Sequence, residues 1–323
     1  MTTIFLFNQT IVIMKKKILF ALMLSVTASA SAVEVEIDGL WYDVLTKGNI
    51  AKVIQYKNDI LYKGDIVIPE NVEFEGVICN VISIEKKAFY DCCYLKSVVI
   101  PNSVMEIGKD AFYRCYDLAS VTIGNSVTKI GNSAFEYCAD LTSVTIPNSV
   151  TSLGDDVFYR CSKLTSVTIG NSVTSIGHQA FYGCSGLTSV TIPNSVMEIG
   201  SSAFSECSGL TSVTISNGET TIGDCAFIDC TSLISVTIGN GVTVIGNSAF
   251  SGCSSLTSVT IPNSVLYLGE SAFTYCSSLT SVTIGNSVAS INARAFYGCN
   301  GLTSVTIPNS VKRIESSTFH GCI

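Results

Sequence analysis

The feature that most constrains this chain is a phenylalanine that recurs every 23 residues without a slip. The series comprises Phe89, Phe112, Phe135, Phe158, Phe181, Phe204, Phe227, Phe250, Phe273, Phe296 and Phe319. A cysteine follows each of these phenylalanines three positions later, from Cys92 to Cys322. A period of this length indicates a solenoid of stacked units, each of which contacts only its neighbours.

One repeat, residues 164–184, predicts two strands and a turn. Segment 164–169 alternates large apolar residues with Ser and Thr, which is the pattern of a strand with one buried face. Segment 173–176 predicts a second, shorter strand, and Gly177 is expected to supply a positive φ at the next bend. Residues 178–184 predict a helical turn whose inner side carries the phenylalanine and the cysteine.

The N-terminus has the pattern of a secretory signal peptide over residues 1–32. Three lysines, Lys15–Lys17, precede a short apolar run, and Ala30–Ala32 supplies small residues for cleavage. Translation is predicted to start at Met14, because residues 1–13 are foreign to this pattern. The rest of the chain shows no further segment long enough to span a bilayer as an apolar helix.

Residues 33–88 differ from the repeats and predict a β-rich N-terminal cap with a degenerate first repeat. They contain the only tryptophan, Trp41, and short alternating runs such as 33–37. A nine-residue insertion in the first unit predicts a hairpin over Val72–Val81 that turns at Glu75 and Gly76. Residues 89–323 then form about ten repeats, and no C-terminal cap is expected.

Two departures from the repeat are informative. Glu219 stands where neighbouring repeats have an inward valine, and a buried unpaired carboxylate would be costly, so the turn is expected to bend outward or to lie at a wet edge. The alternation of Pro and Gly after the first strand changes phase at Ser216.

The cysteines are the residues of this pattern most able to take part in redox or metal chemistry. Eleven of the 14 share one repeat position; the other three are Cys79, Cys93 and Cys225. Exported proteins commonly form disulfides. Parallel Cβ vectors on adjacent rungs give poor disulfide geometry, however, so the periodic cysteines are expected to be buried thiols. For the other three cysteines, disulfide formation is left as an alternative.

Composition and charge argue against several functional classes. The net charge is −7 and becomes −10 once residues 1–32 are removed, because 15 basic and 25 acidic side chains remain. A mildly acidic surface disfavours nucleic acid and anionic membranes. The two histidines, His178 and His320, lie on separate repeats and are expected to be solvated. We therefore predict no catalytic, cofactor or metal site.

The segments Val144–Val150 (VTIPNSV) and Ala180–Cys184 (AFYGC) resemble the repeats of the BspA-like leucine-rich repeat family. The resemblance implies a right-handed, β-rich leucine-rich-repeat solenoid. A parallel sheet would form one face, with short second strands and helical turns on the other. It also implies an exported cell-surface or secreted protein, of bacterial envelope type, that adheres to host matrix or to neighbouring cells. The family supplies no catalytic or binding residues to transfer.

Two surfaces are candidate contact sites for a protein or glycan partner. The first follows the phenylalanine column and comprises Tyr113, Arg114, Tyr137, Tyr159, Arg160 and Tyr182, with Tyr90 and Tyr297 in the same column. Tyr and Arg are enriched at interfaces, whereas the same side chains also serve as plain amphipathic surface. The second is a strip of strand hydroxyls that includes Ser166, Thr168, Ser189, Thr191, Ser212 and Thr214. The alternative is that these Ser and Thr side chains only keep the exposed face of the strands polar and were copied when the repeat was duplicated.

The prediction is therefore a non-enzymatic, exported binding or adhesion protein. The alternative is a structural surface-layer component that associates end to end through its C-terminal coil.

Overall fold

The computed structural model describes residues 32–56 and 61–322. The predicted signal peptide and the proposed start at Met14 lie outside this part of the chain, apart from Ala32. Within it are one 3₁₀ turn, Thr46–Gly48, and the following 25 strands. They are β1 Val33–Ile37, β2 Leu40–Leu45, β3 Ile50–Val53, β4 Gly64–Val67, β5 Asn71–Phe74, β6 Val77–Ile84, β7 Leu95–Val99, β8 Glu106–Ile107, β9 Ser120–Thr122, β10 Lys129–Ile130, β11 Ser143–Thr145, β12 Ser152–Leu153, β13 Ser166–Thr168, β14 Ser175–Ile176, β15 Ser189–Ile192, β16 Glu198–Ile199, β17 Ser212–Ile215, β18 Thr221–Ile222, β19 Ser235–Ile238, β20 Val244–Ile245, β21 Ser258–Thr260, β22 Tyr267–Leu268, β23 Ser281–Thr283, β24 Ser290–Ile291 and β25 Arg313–Ile314.

The N-terminal residues build a β-rich start to the solenoid. Strands β1, β2 and β3 form an antiparallel meander, and β3 then pairs in parallel with β6. The hairpin predicted from the insertion is confirmed: β5 pairs antiparallel with β6, and Glu75 and Gly76 have φ values of 52° and 77°. Two positive φ values in a two-residue loop match the turn that suits the twist of a β-hairpin.

The short second strands form the continuous sheet of the molecule. From β6, the ladder runs in parallel through β8, β10 and every second strand as far as β22, within a 13-stranded sheet that also contains the N-terminal meander. A glycine follows most of these short strands, because the backbone of the preceding coil lies very close at that position. A Cβ on Gly177 would lie only 2.4 Å from the carbonyl oxygen of Gly154. The expected positive φ at Gly177 is wrong, and the left-handed residue is Gln179, with φ of 53°.

The ladder stops where an asparagine replaces this glycine. Gly269 in the preceding coil donates its N–H to the carbonyl of Ile245 at 2.8 Å. At the equivalent position one coil later, the Nδ2 of Asn292 donates to the carbonyl of Leu268 at 2.8 Å. The side-chain amide thus takes over the acceptor that a backbone N–H uses elsewhere, and β24 pairs with β25 in a separate sheet.

The first strands of the repeats form several parallel sheets rather than one continuous sheet. Strands β4, β7 and β9 form one sheet, β11 and β13 a second, and β15, β17, β19, β21 and β23 a third. Within the last sheet, β19 and β21 share only the pair Ser235 and Ser258.

The alternation of Pro and Gly accounts for these breaks. A Cβ on Gly170 would lie 2.5 Å from the carbonyl oxygen of Pro147, so the Gly coil packs closely on the Pro coil before it. The next coil carries Pro193, which has no N–H to donate back to the Gly coil. Ser216, at the same repeat position, does donate its N–H to the carbonyl of Ile192 at 3.0 Å, and that sheet continues. The phase change at Ser216 therefore has a structural consequence.

The third side of each coil is a tight turn on the phenylalanine column. The N–H of Cys184 donates to the carbonyl of Phe181 at 3.2 Å, which closes the predicted turn. The turn does not extend into a helix, because Gln179 and Gly183 both have positive φ. The Phe rings are fully buried up to Phe296, and successive ring centroids lie 4.8–5.6 Å apart in near-parallel stacks.

The structure keeps the Glu219 side chain out of the core, which agrees with the predicted outward bend or wet edge. Glu219 is exposed, and the adjacent Thr220 is buried in its place, 1% exposed. The hydroxyl of Thr220 donates to the carbonyl of Val196 at 2.7 Å, so the buried polar group is satisfied.

We expect Gly177→Ala to destabilise the solenoid by about 2 kcal/mol or more, because the new methyl group would overlap the Gly154 backbone. Gly183→Ala is the matched control. Gly183 has φ of 66° and nothing nearer than 3.5 Å to its added Cβ, so only backbone strain of about 1 kcal/mol is expected. Denaturant midpoints of the two variants check this, and an equal loss in both would contradict the close-approach explanation.

Candidate partner-binding surfaces

The first candidate surface lies directly outside the phenylalanine column. We call it the Tyr/Arg rim, defined as Tyr90, Tyr113, Arg114, Tyr137, Tyr159, Arg160 and Tyr182. Its members occupy the first and second positions after a phenylalanine, and those at the second position have left-handed backbones, with φ of 57–59°. This turn geometry points the side chains away from the core while the phenylalanine points inward.

The rim tyrosines form one continuous chain of ring contacts. Tyr90 and Tyr113 stack with centroids 5.0 Å apart, and Tyr159 and Tyr182 stack at 4.9 Å. Tyr137 joins the two pairs by edge contacts of 6.1 Å to Tyr113 and 5.6 Å to Tyr159. The structure therefore brings together all four predicted tyrosines, each half-buried.

The predicted arginines lie over these rings. The guanidinium of Arg114 is 5.1 Å from the centroid of Tyr113, and that of Arg160 is 5.2 Å from the centroid of Tyr182. Both arginines are exposed. Contacts of this length are cation–π interactions, which limit the freedom of a long side chain.

Sequence reasoning missed Glu206, which lies at one end of the rim. Its carboxylate accepts a hydrogen bond from Arg160 at 3.2 Å and another, very short, from the hydroxyl of Tyr182. The hydrogen bond to Glu206 raises the pKa of Tyr182 to about 12. The residues two positions after three successive phenylalanines are Arg160, Gly183 and Glu206. An arginine and a glutamate separated by a glycine at this repeat position were the sequence signal for their ion pair. Gly183 has no side chain, so Arg160 can extend across it to Glu206.

Acidic groups lie beside the rim in the N-terminal half. Glu136 is half-buried, and burial raises the pKa of its carboxyl group. Burial also raises the pKa of Asp156, two residues before Phe158. The rim is therefore an aromatic surface with both signs of charge nearby rather than a basic patch.

The second candidate surface, the hydroxyl strip, is divided. Ser166 and Thr168 lie on β13, whereas Ser189 and Thr191 lie on β15, which belongs to another sheet. Ser212 and Thr214 follow on β17. Five of the six predicted residues are exposed, and Ser212 is half-buried.

A groove of about 630 Å³ opens between β13 and β15, lined by hydroxyl groups and by Pro193. Strand pairing is absent between these two described strands, and Val167 beside the groove is half-buried. The hydroxyls therefore flank a gap instead of forming one flat array.

The periodic cysteines from Cys92 to Cys299 are buried thiols, as predicted, and Cys322 is half-buried. All 14 cysteines fall in the described ranges and all are free, including Cys79, Cys93 and Cys225. From Cys115 onward, each periodic thiol donates to the carbonyl of the phenylalanine in the preceding coil at 3.1–3.3 Å. The column thus links coils through weak S–H donors.

The histidines are exposed, as expected. The Nδ1 of His178 accepts a hydrogen bond from the N–H of Ser201 at 3.1 Å, and the ring of His320 stacks on Tyr297 at 5.2 Å.

Comparison with known proteins identifies the repeat. The family model described as a BspA type leucine rich repeat region, in six copies, matches residues 82–211 and 197–323. The chain belongs to this family. BspA-type repeats therefore account for most of the solenoid, which confirms the resemblance and the fold class.

Solved structures of bacterial leucine-rich repeat proteins are similar to this member of the BspA-type family. A leucine rich cell surface protein from Faecalibacterium prausnitzii is 31% identical with a TM-score of 0.53, over 91% of this chain and 88% of that one. A leucine-rich repeat protein from Bacteroides ovatus is 26% identical with a TM-score of 0.47, over 90% and 92% of the two chains. The comparison with curated proteins finds no match.

Over residues 32–56 and 61–322, the structure has no helix of sufficient length and apolarity to cross a membrane.

The thiol column predicts alkaline destabilisation. Burial raises the pKa of Cys207 and of Cys299 to about 12, whereas an unfolded thiol has a pKa of about 8.5. An acid whose folded pKa is raised contributes stability that is fully present below its unfolded pKa and lost as the pH rises through the folded value. We expect a constant melting temperature between about pH 6 and 8 and a steep fall from about pH 9 toward 12.

Cys207→Ala is the control for this prediction, because it should reduce the alkaline slope even though a cavity lowers its stability at neutral pH. A slope unchanged in Cys207→Ala, or rapid labelling of most cysteines in the native protein at about pH 8, would contradict buried neutral thiols.

Proposed function

We propose that the protein is an exported, non-enzymatic binding protein whose Tyr/Arg rim contacts a protein or glycan on host or neighbouring cells. The observation that carries the proposal is the unbroken chain of ring contacts from Tyr90 to Tyr182, with Arg114 and Arg160 over the rings. The cell-surface protein of Faecalibacterium prausnitzii supports an exported location.

The rim suits binding because its side chains are already ordered. Each ring is supported by its neighbours, and Arg160 is held by both Tyr182 and Glu206. Association normally costs about 0.5–1.5 kcal/mol for each flexible side chain that is immobilised, and an ordered surface avoids much of this cost. Tyr and Arg also offer apolar area and hydrogen bonding on one group, which is why they dominate binding hot spots.

The hydroxyl strip is a weaker candidate. Ser and Thr side chains bury little apolar area, and several Thr hydroxyls beside the strip already donate to the preceding coil, as Thr165 does to the carbonyl of Thr142 at 3.0 Å. The gap between β13 and β15 also divides its surface. We therefore rank the Tyr/Arg rim first.

The rim is tested with the triple variant Tyr113→Ser, Tyr137→Gly, Tyr159→Ser. Each replacement already occurs at the same repeat position, as Ser205 after Phe204 and Gly252 after Phe250, so the fold should tolerate it. We expect binding to an immobilised basement-membrane extract, measured by surface plasmon resonance, to weaken about tenfold or more.

The matched control removes a tyrosine from another side of the coil. Tyr267 is exposed on β22, and serine occupies its repeat position at Ser175 and Ser290. Tyr267→Ser should leave binding unchanged. If the rim variant binds as tightly as the native protein while Tyr267→Ser weakens binding, the contact surface lies elsewhere.

End-to-end self-association through the C-terminal coil remains the alternative prediction. Light scattering that shows particle size rising with protein concentration would favour it over the rim.

A further inference from the structure

We infer that a cleft in the C-terminal repeats is a second binding site, which takes a carboxylated sugar residue of a glycan. We call it the C-terminal cleft; its main lining residues are Ser271, Tyr275, Arg294, Tyr297, Ser317 and His320. It lies four repeats beyond the last tyrosine of the Tyr/Arg rim and shares no residue with it. Its volume is about 520 Å³, within the range of small-ligand sites.

Three aromatic rings form one wall of the cleft. Tyr297 and His320 stack with centroids 5.2 Å apart, and Tyr275 meets Tyr297 edge-on at 5.5 Å. Tyr275 is 58% exposed, so most of its ring is available to a ligand. The exposed ring of Tyr275 suits the apolar C–H face of a pyranose, and the two tyrosine hydroxyls can form hydrogen bonds with a sugar.

The backbone leaves space for the most exposed ring. Gly298 has φ of 68°, and a Cβ at this position would lie 2.7 Å from Cδ1 of Tyr275. The ring therefore rests against a coil that has no side chain there. Thr274, beside it, is buried and donates its hydroxyl to the carbonyl of Arg294 at 2.7 Å, which links the floor of the cleft to the arginine backbone.

The charge of the cleft indicates a ligand with a carboxylate. Arg294 is exposed and, among the residues that the structure describes, it forms no ion pair. None of the residues that line the cleft is acidic. A guanidinium binds a carboxylate through two parallel hydrogen bonds, so an unpaired arginine beside aromatic rings matches an acidic sugar better than a neutral one.

The N-terminal half provides an internal comparison. The repeat position that carries Ser271, Arg294 and Ser317 carries Lys87, Asp110, Ser133 and Asp156 there. In that half, Glu136 also takes the place of a rim tyrosine. The equivalent space beside the Tyr/Arg rim therefore has charges of both signs, whereas the C-terminal cleft is lined by a cation and no acid on a protein whose net charge is −7.

A glycan fits the cleft better than a peptide. Peptide recognition commonly uses an exposed sheet edge or a deep apolar pocket, and the cleft is built instead from turn residues, with hydroxyls of Ser271 and Ser317 at its sides. Those hydroxyls can pair with sugar hydroxyls, and the rings can cover the C–H face between them.

The test is isothermal titration calorimetry with two matched pairs of sugars. One pair is 3′-sialyllactose and its carboxyl methyl ester, and the other is a hyaluronan tetrasaccharide and its carboxyl-reduced form. We expect at least one carboxylated sugar to bind about tenfold or more tightly than its neutral match, since a charge-assisted hydrogen bond is lost in the neutral sugar. Failure of both acidic sugars to bind, or equal affinity within both pairs, would overturn the inference.

Three variants separate the roles of the lining residues, and each uses a residue that the chain already carries at the same repeat position. Arg294→Gln, which copies Gln179, should remove the preference for the carboxylated sugar. Tyr297→Ser, as at Ser251, and Tyr275→Gly, as at Gly252, should weaken both members of a pair. An Arg294→Gln protein that keeps its full preference would refute the assigned carboxylate contact.

The triple rim variant keeps this test independent of the proposed function. It should bind the sugars as the native protein does, while Arg294→Gln should keep its binding to basement-membrane proteins freed of glycans by enzymatic digestion. Loss of sugar binding in the rim variant, with circular dichroism and melting temperature unchanged, would place the sugar site on the rim and overturn the C-terminal assignment.

Discussion

The structure depends on the backbone hydrogen bonds that fix the distance between coils. From Phe89 to Phe296, the N–H of each phenylalanine donates to the carbonyl of the residue just before the next phenylalanine, as Phe181 does to Ala203 at 2.7 Å. The rings of Phe181 and Phe204 are almost parallel with centroids 5.0 Å apart, a separation that suits the offset stacking favoured by aromatic pairs, and the backbone sets this spacing. The same spacing brings Tyr159 and Tyr182 into a stack outside the core. Core and surface columns therefore share one cause.

Much of this architecture could be predicted from the sequence, because it is local or strictly periodic. The hairpin at Glu75, the buried thiols and the exposed side chain of Glu219 all followed from residue type and repeat position. The tyrosines and arginines of the rim were also identified, since a column in a solenoid can be read as every 23rd residue. Whether these residues bind a partner is a separate question, which the proposed variants address.

The features that escaped prediction depend on contacts between coils. The role of Gly177 required the position of the Gly154 backbone, and Glu206 required knowledge that Arg160 reaches across Gly183. The division of the first-strand sheets needed both the missing N–H of Pro193 and the close approach at Gly170. A repeat pattern describes every coil in the same way, whereas these effects arise from residue differences between two neighbouring coils.

The unequal hydrogen bonding of the two strand rows has a mechanical consequence. The short second strands are joined from β6 to β22, whereas the first strands are interrupted after β9 and after β13. A bending load that opens the first-strand side meets no strand ladder at those two places, while the opposite side is joined by strand pairing from β6 to β22. The solenoid is therefore stiff along one face and compliant along the other. Its curvature can respond to force by flexing at fixed joints, and the proline residues determine where those joints lie.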